Sequence, residues 1–531
     1  MFRLNSFDIL IFAVYMVSVL LIGFIAGRKK QTRADGFFLA RRTLPWYAVG
    51  FSMTAACIST EQFIGASAKA HDVGMAVLNW EWGIAPSFAL LILVFMPLYF
   101  RREIFTIPEY LERRFGKTAR TIFSLLTMVS YFAINLAGIL YSGAYVMHSL
   151  FGFNLILSIW VMTILTGAYT VYGGLVSVVW TETLQSVLLL AGGALITVLG
   201  LLHIPGGLMT AIGTGDRAHL FLPLDHPELP WTAILVLIFS TNVWYACTNQ
   251  FYIQMCLGAK NEWHARMGVV FATFLGILLG FAVEFTGIVG YRLVELGVMP
   301  APPESNAIYP YLIQYIVPAG IRGIVFAGII AAIMSTVSAL VHSIATLFSM
   351  DFYRAFIRPK ASETHLIKVG QIAGATLLAA GALCAPIVGT FPTIFDYFQQ
   401  SWAVMAAPIA IVFTLGALWK RATNKAAVST LILGILTIPV AFWLQRVVLP
   451  KGFNFYNLVG IIFFVQLAWM IVVSLLTRPF HTDPKVQTVW TSDLAFLPPK
   501  ERPSPYRWYL RVVLWWAISV AVVGALYIKF W

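Results

Sequence analysis

The sequence predicts an all-α protein that crosses a membrane many times. Of its 531 residues, 60% are hydrophobic and only 11% are charged, and the mean hydropathy is +0.82. A soluble protein of this length would be about one quarter charged. Apolar runs of about 20 residues recur from end to end, and each is long enough to cross a bilayer as a helix. Two of the runs are interrupted by polar residues.

About fourteen transmembrane helices are predicted, and residues 1–531 are expected to form one transmembrane domain with little mass outside the bilayer. The spans are 7–27, 44–70, 76–100, 121–149, 153–172, 178–203, 231–256, 267–295, 320–350, 367–390, 397–419, 425–446, 455–477 and 508–530.

The net charge of +13 is concentrated in alternate connections between the spans. Most of the basic residues lie in the stretches 28–42, 101–120, 259–266, 353–368, 419–425 and 478–511. This is the bias of cytoplasmic loops, so no nucleic-acid partner is expected. If these stretches are cytoplasmic, an even number of spans puts both termini outside. The first span is too long for a signal-peptide core and is expected to be retained.

Two interrupted spans point to an internal repeat. The span 44–70 contains the polar run Ser59–Gln62, and the span 231–256 contains "TNVWYACTNQFYIQ". They lie five spans apart. Interrupted helices at matching places in two halves indicate an inverted-repeat transporter with its site at the repeat interface. A five-plus-five repeat would cover 44–203 and 231–419, with 7–27 as an extra N-terminal helix and 425–530 as three additional C-terminal helices.

Oxygen atoms suited to a sodium ion occur in two of the spans. An unwound helix frees carbonyl groups that must find partners inside a membrane, and a hard cation takes oxygen ligands. The ninth span offers the hydroxyls of Ser335, Thr336 and Ser338. The alternative is that each hydroxyl bonds back to its own helix, so the hydroxyls alone do not identify a cation.

Ionisable residues inside spans are costly and usually face an interior cavity. This chain has Glu81, Glu182, Glu284, His342 and Asp396 in or beside apolar runs. Trp80 and Trp82 flank Glu81, which suits stacking on a sugar ring but is also typical of an interfacial belt. Glu284 has no partner that the sequence identifies. No hydrolytic or nucleotide-binding motif is found, so we expect neither an enzyme nor a cofactor, and the cysteines lack metal-ligand spacing.

Several motifs together resemble one transporter family. "ISTEQFIG", "YTVYGGLVSVVWTETLQ", "GIRGIVFAGIIAAIMST", "HSIATLFSMDFY" and "APIAIVFTLGALWKR" are similar to the sodium:solute symporter family, and most similar to its sodium–glucose cotransporter branch. The resemblance covers nearly the whole chain. It implies a leucine-transporter-type fold with a five-plus-five inverted repeat, and alternating access driven by sodium.

The resemblance also implies ligands for sodium. The conserved site would use the carbonyl groups of Ala55, Ile58 and Ala332 and the hydroxyls of Ser335 and Thr336. A second sodium, bound by some members, would use Glu182 and Ser338; the family has Asp at the position of Glu182. Sodium is the only metal expected.

The family's solute ligands correspond to Gln62, Glu81, Asn135, Asn242 and Gln399, and its inner gate corresponds to Tyr245. Three positions depart from the sugar carriers of the family. Cys57 replaces an Asn, Gly276 replaces a Lys, and Ala246 replaces a Trp.

The leading hypothesis is a sodium-coupled symporter that imports a small neutral polar solute, a sugar or a polyol. One alternative is sodium symport of a small carboxylate or vitamin. Another, of a different class, is a sensor or channel on the same fold. The expected partners are sodium, the solute and the lipid bilayer, with no obligate protein partner. The expected location is the plasma membrane, as a multi-pass protein of a bacterial inner membrane.

Overall fold

The chain is a bundle of membrane-length helices. The computed structural model describes residues 5–27, 33–450, 453–478 and 488–531, and these residues are almost entirely helical. Within the described residues the extended pairings are limited to two isolated bridges, Leu44–Ala259 and Leu222–Pro230. Parts of the basic connections 28–42 and 478–511 lie outside the described residues.

The helices follow one another in the predicted order. The long ones are Ser6–Gly27, Trp46–Cys57, Glu61–Phe100, Lys117–Phe151, Leu155–Leu202, Trp231–Thr248, Gln250–Leu257, Glu262–Glu295, Arg322–Ile357, Glu363–Thr390, Ile394–Leu418, Asn424–Val448, Phe455–Leu476 and Val512–Lys529. Short connecting helices include Ala34–Leu39, Ile107–Phe115, Gly207–Ile212 and Ile308–Tyr315.

The predicted count of fourteen spans is not confirmed. Twelve helices in the described part of the chain are long and apolar enough to cross a membrane. The predicted span 44–70 is divided by its break at Ile58, and its second part ends at Gly74, whose positive φ (+81°) turns the chain before the next span. The predicted span 153–172 corresponds to the first part of the helix Leu155–Leu202, before its kink at Gly174. A left-handed Gly174 (φ +64°) kinks the helix Leu155–Leu202, at the glycine pair predicted to form a turn.

The first broken helix consists of Trp46–Cys57 and residues 61–73. It is interrupted at Ile58, whose backbone is extended (φ −87°, ψ 114°). Local polar groups satisfy the freed backbone. The hydroxyl of Ser59 accepts the N–H of Glu61 at 3.0 Å, and the Oε1 of Gln62 accepts the N–H of Ser59 at 2.8 Å. The polar run in the middle of the apolar segment therefore stabilises a break.

The second broken helix, residues 231–257, opens at Asn249 (φ −78°, ψ 118°), between Asn242–Thr248 and Gln250–Leu257. The hydroxyl of Tyr131 donates to Asn249 Oδ1 and accepts the N–H of Phe251 at 3.1 Å. Both interrupted segments that the sequence predicts are thus broken helices.

Burial separates a central helix from peripheral ones. In the most apolar window of Arg322–Ile357, 89% of the residues are buried. The corresponding share is 11% for Ser6–Ala26 and 17% for Val512–Lys529, whose exposed side chains are mostly apolar. Exposed apolar helices of this kind fit a lipid environment. The central helix therefore lies inside the bundle, and the first and last helices lie at its rim.

The first broken helix and the helix Glu262–Glu295 are in close contact. A Cβ added at Gly287 would lie 1.9 Å from the carbonyl oxygen of Ser67, and the hydroxyls of Ser67 and Thr286 are 2.8 Å apart. Small residues allow backbones to approach in this way in membrane bundles. The contact fixes one half of the broken helix against the helix that carries Glu284.

Candidate sodium site and solute cavity

Five oxygen atoms from two helices converge at the break of the first broken helix. The Ser335 hydroxyl donates to the carbonyl oxygen of Ala55 at 2.9 Å. The Thr336 hydroxyl donates to the carbonyl oxygen of Ile58 at 2.9 Å and lies 3.4 Å from that of Ala55. All of these residues are buried. The three carbonyl groups and two hydroxyls predicted as sodium ligands are therefore adjacent.

The hydroxyls also bond within their own helix. Ser335 and Thr336 lie 3.0 and 3.2 Å from the carbonyl oxygen of Ala332. Each hydroxyl therefore contacts a carbonyl oxygen of its own helix and a carbonyl oxygen of the broken helix at the same time. The resulting set contains only uncharged oxygens, which suits a monovalent hard cation. No group of three or more His, Cys, Asp or Glu side chains able to hold a metal ion is found among the described residues.

The residues predicted for a second sodium have other partners. The Ser52 hydroxyl donates to Glu182 Oε2, and Glu182 Oε1 has no hydrogen-bond partner. The Ser338 hydroxyl donates to the carbonyl oxygens of Met334 and Ser335 at 2.5 and 3.0 Å. Both residues are fully buried. Glu182 therefore contacts Ser52, which lies in the first half of the first broken helix, three residues before Ala55. The second sodium site stays a prediction.

A small cavity of about 60 Å³ lies between the broken helices. Its walls also include residues of the helices 76–100, Glu262–Glu295 and Ile394–Leu418. The lining residues are Thr54, Cys57, Glu61, Gln62, Trp80, Glu81, Ile84, Phe88, Thr241, Asn242, Tyr245, Tyr252, Ala272, Gly276, Leu279, Glu284, Gln399 and Trp402. Aromatic rings beside a few polar groups are typical of a small-molecule site.

Four of the five predicted solute ligands line this cavity: Gln62, Glu81, Asn242 and Gln399. Gln399 Nε2 donates to Glu61 Oε1 at 3.3 Å, and the Oε1 of Gln62 accepts the N–H of Ser59. The structure therefore brings these side chains to one place, although it does not test whether they bind solute.

Asn135 is not among the lining residues. Its Oδ1 lies 3.4 Å from the indole nitrogen of Trp402, and Trp402 lines the cavity. The Ser130 hydroxyl donates to the same Oδ1 at 3.3 Å. Asn135 therefore lies behind Trp402, where it can orient that ring.

The predicted gate, Tyr245, stands in an aromatic cluster at the cavity wall. Its ring lies 5.8 Å from Phe251, 5.8 Å from Tyr252 and 5.7 Å from Trp402. Cys57 and Tyr252 line the same cavity. Of the positions that depart from the sugar carriers of the family, Cys57 and Gly276 line the cavity and Ala246 is buried.

Glu284 lines the cavity, a position that sequence reasoning missed. It ends the π-helical turn Gly280–Glu284, and the Thr197 hydroxyl donates to the carbonyl oxygens of Phe281 and Ala282 at 3.2 Å. A π-helical turn shifts the register of the residues around it and is frequent at functional sites. The signal available in the sequence was the acid itself, inside an apolar run.

The two remaining ionisable residues lie away from the cavity. Asp396 follows the helix-capping Thr393, and its Oδ1 lies 3.6 Å from Lys69 Nζ. Lys69 also pairs with Glu228 at 2.6 Å. His342 is buried against Phe37, with ring centres 5.6 Å apart. Asp396 thus begins its helix and belongs to an ion-pair network near one membrane face.

Taken together, two broken helices, a cluster of oxygens at one break and an adjacent polar cavity define a multi-pass membrane protein of the secondary-transporter class. The chain belongs to the sodium:solute symporter family, whose family model matches residues 37–434. The resemblance stated from the motifs is thereby confirmed.

Two relatives and one solved structure place the chain within that class. It is 33% identical to a sodium/glucose cotransporter of Vibrio parahaemolyticus, over 92% of this chain and 94% of the relative. It is 29% identical to a sodium/myo-inositol cotransporter of Bos taurus, over 94% and 77%. A sodium-coupled sialic acid symporter, solved in a substrate-bound outward-open state, aligns with a TM-score of 0.79 at 22% identity, over 90% and 98%. The predicted fold class is confirmed, whereas the repeat boundaries 44–203 and 231–419 stay a prediction.

Proposed function

We propose that this protein is a sodium-coupled symporter that imports a sugar or polyol by alternating access. One observation carries the proposal. The first broken helix presents the carbonyl groups of Ala55 and Ile58 to Ser335 and Thr336, and a few residues later presents Gln62 to the cavity. A sodium ion and a solute would therefore act on the same break. The named substrates of the two relatives, glucose and myo-inositol, support a polyhydroxy solute.

The broken helix provides a physical route for coupling. A sodium ion held between it and the central helix Arg322–Leu347 stabilises the arrangement in which the five oxygens converge. Solute bound at Gln62 and Gln399 draws the other half of the broken helix toward Ile394–Leu418. Each ligand shifts the equilibrium between outward and inward states only through its different affinity for the two. Tyr245 would then close the cavity on one side. In addition, Glu182 and Ser338 would bind a second sodium ion.

Orientation and location are part of the proposal. The basic connections support a cytoplasmic face that includes Arg101 and Arg266, which both pair with Glu262. The face that carries Lys69, Glu228 and Asp396 is then external, as are both termini. The protein would lie in a plasma membrane, a bacterial inner membrane, with no enzymatic activity and no cofactor, and sodium would be its coupling ion. We propose the repeats 44–203 and 231–419 as the parts that move against each other.

The alternatives have less support. A small carboxylate or vitamin acid would need a cation, and among the lining residues, all of them described, none is Lys, Arg or His. A channel would need a continuous pore, whereas rings of Tyr245, Tyr252 and Trp402 pack against one another at the cavity wall.

The test is uptake into proteoliposomes that contain the purified full-length protein. A panel of radiolabelled sugars and polyols is offered under an inward sodium gradient and, in parallel, under a matched potassium gradient. We expect at least one member to accumulate above its external concentration only with sodium. Equal uptake under both cations for every member would contradict the proposal.

A further inference from the structure

Three carboxyl groups line the cavity without a basic side chain. Glu61, Glu81 and Glu284 reach it from three separate helical segments, Glu61–Ala66, Asn79–Trp82 and Gly280–Glu284, and Glu61 and Glu284 are 3% and 1% exposed. The lining residues, each within the described part of the chain, include no Lys, Arg or His. Lys69, on the same helix as Glu61, is held by Glu228 and Asp396. No basic side chain of the cavity walls therefore pairs with these carboxyl groups.

The contacts of these carboxyl groups are uncharged or missing. Glu61 accepts from the amide of Gln399. Glu284 Oε2 is buried and has no hydrogen-bond partner. A buried carboxylate is costly unless a cation or several donors stabilise it. Glu284 is thus an unpaired acceptor that lines the cavity.

Two donors at the same cavity are also unpaired. Asn242 Nδ2 and Trp80 Nε1 are buried and have no hydrogen-bond partner. Buried polar groups in proteins normally have partners. A ligand that satisfies this cavity must therefore offer acceptors to Asn242 and Trp80 and a positively charged donor to the carboxyl groups. Hydroxyl oxygens provide the acceptors, and a protonated amine provides the donor.

We propose that the transported solute carries a protonated amine in addition to its hydroxyls, so that it is an amino sugar or an amino polyol. Its ammonium group lies between Glu81 and Glu284, and a hydroxyl accepts from Asn242. The rings of Trp80, Tyr245 and Trp402 suit both faces of such a molecule, because aromatic rings stack on sugars and attract cations. This inference rests on the proposed sugar or polyol symport and specifies its substrate class.

Gly276 leaves room for the charge that the solute brings. A Cβ added at this position would lie 3.8 Å from Glu81 Oε2, and no other atom outside its own helix lies within 4 Å. A fixed lysine would neutralise Glu81 from within the protein, whereas a glycine leaves that role to the ligand.

Matched ligand pairs test the proposal. Sodium-dependent thermal stabilisation of the purified full-length protein is titrated with glucosamine against glucose, and with N-methylglucamine against sorbitol, at a pH that keeps the amines protonated. N-acetylglucosamine serves as the neutral control for glucosamine. We expect the amine of each pair to half-saturate at a concentration about tenfold lower, because charge-assisted hydrogen bonds are about twice as strong as neutral ones. Equal or tighter binding of the neutral members would overturn the inference.

Two variants locate the effect. Glu284→Gln keeps the shape of the side chain and removes its charge, so we expect the amine preference to fall severalfold while binding of the neutral member persists. Gly276→Lys places a fixed cation beside Glu81 and should abolish the preference, which decides the question if Glu284→Gln does not fold. The control is Glu295→Gln, on the same helix but exposed and paired with Arg292, which should behave as wild type. An unchanged preference in Gly276→Lys would overturn the inference.

The two proposals fail in different ways. If neutral sugars bind in a sodium-dependent manner and amines do not, the symport proposal stands and the amine inference is wrong. If no sugar, polyol or amine of the panel binds with sodium dependence, both are wrong.

Discussion

At the scale of single residues, the candidate sodium site depends on hydroxyl groups. Ser335 and Thr336 follow one another on the central helix, and each reaches a different carbonyl group of the broken helix. A charged ligand would bind sodium strongly but would be costly to bury without it. Uncharged oxygens allow the site to form and release the ion during each transport cycle.

Replacing Thr336 by Val is expected to weaken sodium activation. The valine keeps the branched shape and removes the hydroxyl, one of five oxygens at the site. A loss of roughly 1–2 kcal/mol corresponds to a roughly tenfold higher sodium concentration for half-maximal uptake. The control is Thr163→Val, which removes a buried hydroxyl that bonds only to Ile159 of its own helix among its described contacts. Unchanged sodium activation in Thr336→Val would contradict the assigned site.

Asn135 and Gln399 are expected to differ although both were predicted as solute ligands. Gln399 lines the cavity, whereas Asn135 contacts the cavity only through Trp402. Gln399→Leu should therefore weaken solute affinity about tenfold, and Asn135→Leu only about two- to threefold, through a less ordered indole ring. Solute titrations at saturating sodium measure both. A larger loss in Asn135→Leu would mean that Asn135 reaches the solute in another state of the cycle.

The sequence was sufficient to predict which backbone carbonyl groups lie beside the hydroxyls of the central helix. The carbonyl groups of Ala55 and Ile58 are independent of the side chain, and they lie beside the hydroxyls as expected. The position of Asn135 depends instead on the packing of Trp402, a residue 267 positions away along the chain. No local pattern encodes such a contact.

At the scale of helices and loops, an ion-pair network joins three elements near one membrane face. Lys69 on the first broken helix pairs with Asp396 on Ile394–Leu418 and with Glu228 on the preceding loop. Its side chain is only 7% exposed, so screening by solvent is weak. We expect these contacts to hold that face of the bundle closed.

Removing the Lys69 charge is expected to open that face. In Lys69→Met the two carboxylates lose their shared partner, which favours the open state. We expect a membrane-impermeant thiol reagent, added from that side, to label Cys57 severalfold faster than in wild type, because Cys57 lines the cavity. Lys69→Arg should retain the closed state, and Cys57→Ala gives the background from other cysteines. Equal labelling of Lys69→Met and wild type would argue against a gate.

Gly287 tests the close helix contact. A methyl group there would collide with the backbone of Ser67, and overpacking of this kind costs roughly 1–3 kcal/mol. We therefore expect Gly287→Ala to lower the unfolding temperature of the purified protein. Gly524→Ala, in a peripheral helix where nothing lies within 4 Å, should change it little. A Gly287→Ala protein as stable as Gly524→Ala would show that the two helices can separate freely.

Helix register limits what the sequence can predict at this scale. Both breaks were predicted, because each carries a run of polar residues in an apolar segment. The π-helical turns Leu237–Thr241 and Gly280–Glu284 were not predicted, since nothing in their composition distinguishes them from α-helix. They change which side chains face the cavity, and for this reason the location of Glu284 came only from the structure.

At the scale of the whole molecule, hydropathy was sufficient for the class and order of the helices. Hydropathy was insufficient for the number of helices. The break at Ile58 and the kink at Gly174 interrupt apolar runs at points that hydropathy does not mark. Ser6–Gly27 and Val512–Lys529 lie at the periphery and expose mostly apolar side chains, and their assignment as additions outside the repeats stays a prediction. The solute is the least predictable feature, because it depends on a few side chains brought together from distant helices.

The central claim is that sodium and solute act on one broken helix, and reciprocal binding tests it most directly. If the claim is right, sodium raises solute affinity in the purified protein, and solute raises sodium affinity by the same factor. A coupling of about 1–3 kcal/mol corresponds to a factor of roughly 5–150. We predict equal factors in the two titrations, and factors close to one in Thr336→Val. Solute affinity that is independent of sodium in the wild-type protein would contradict the account.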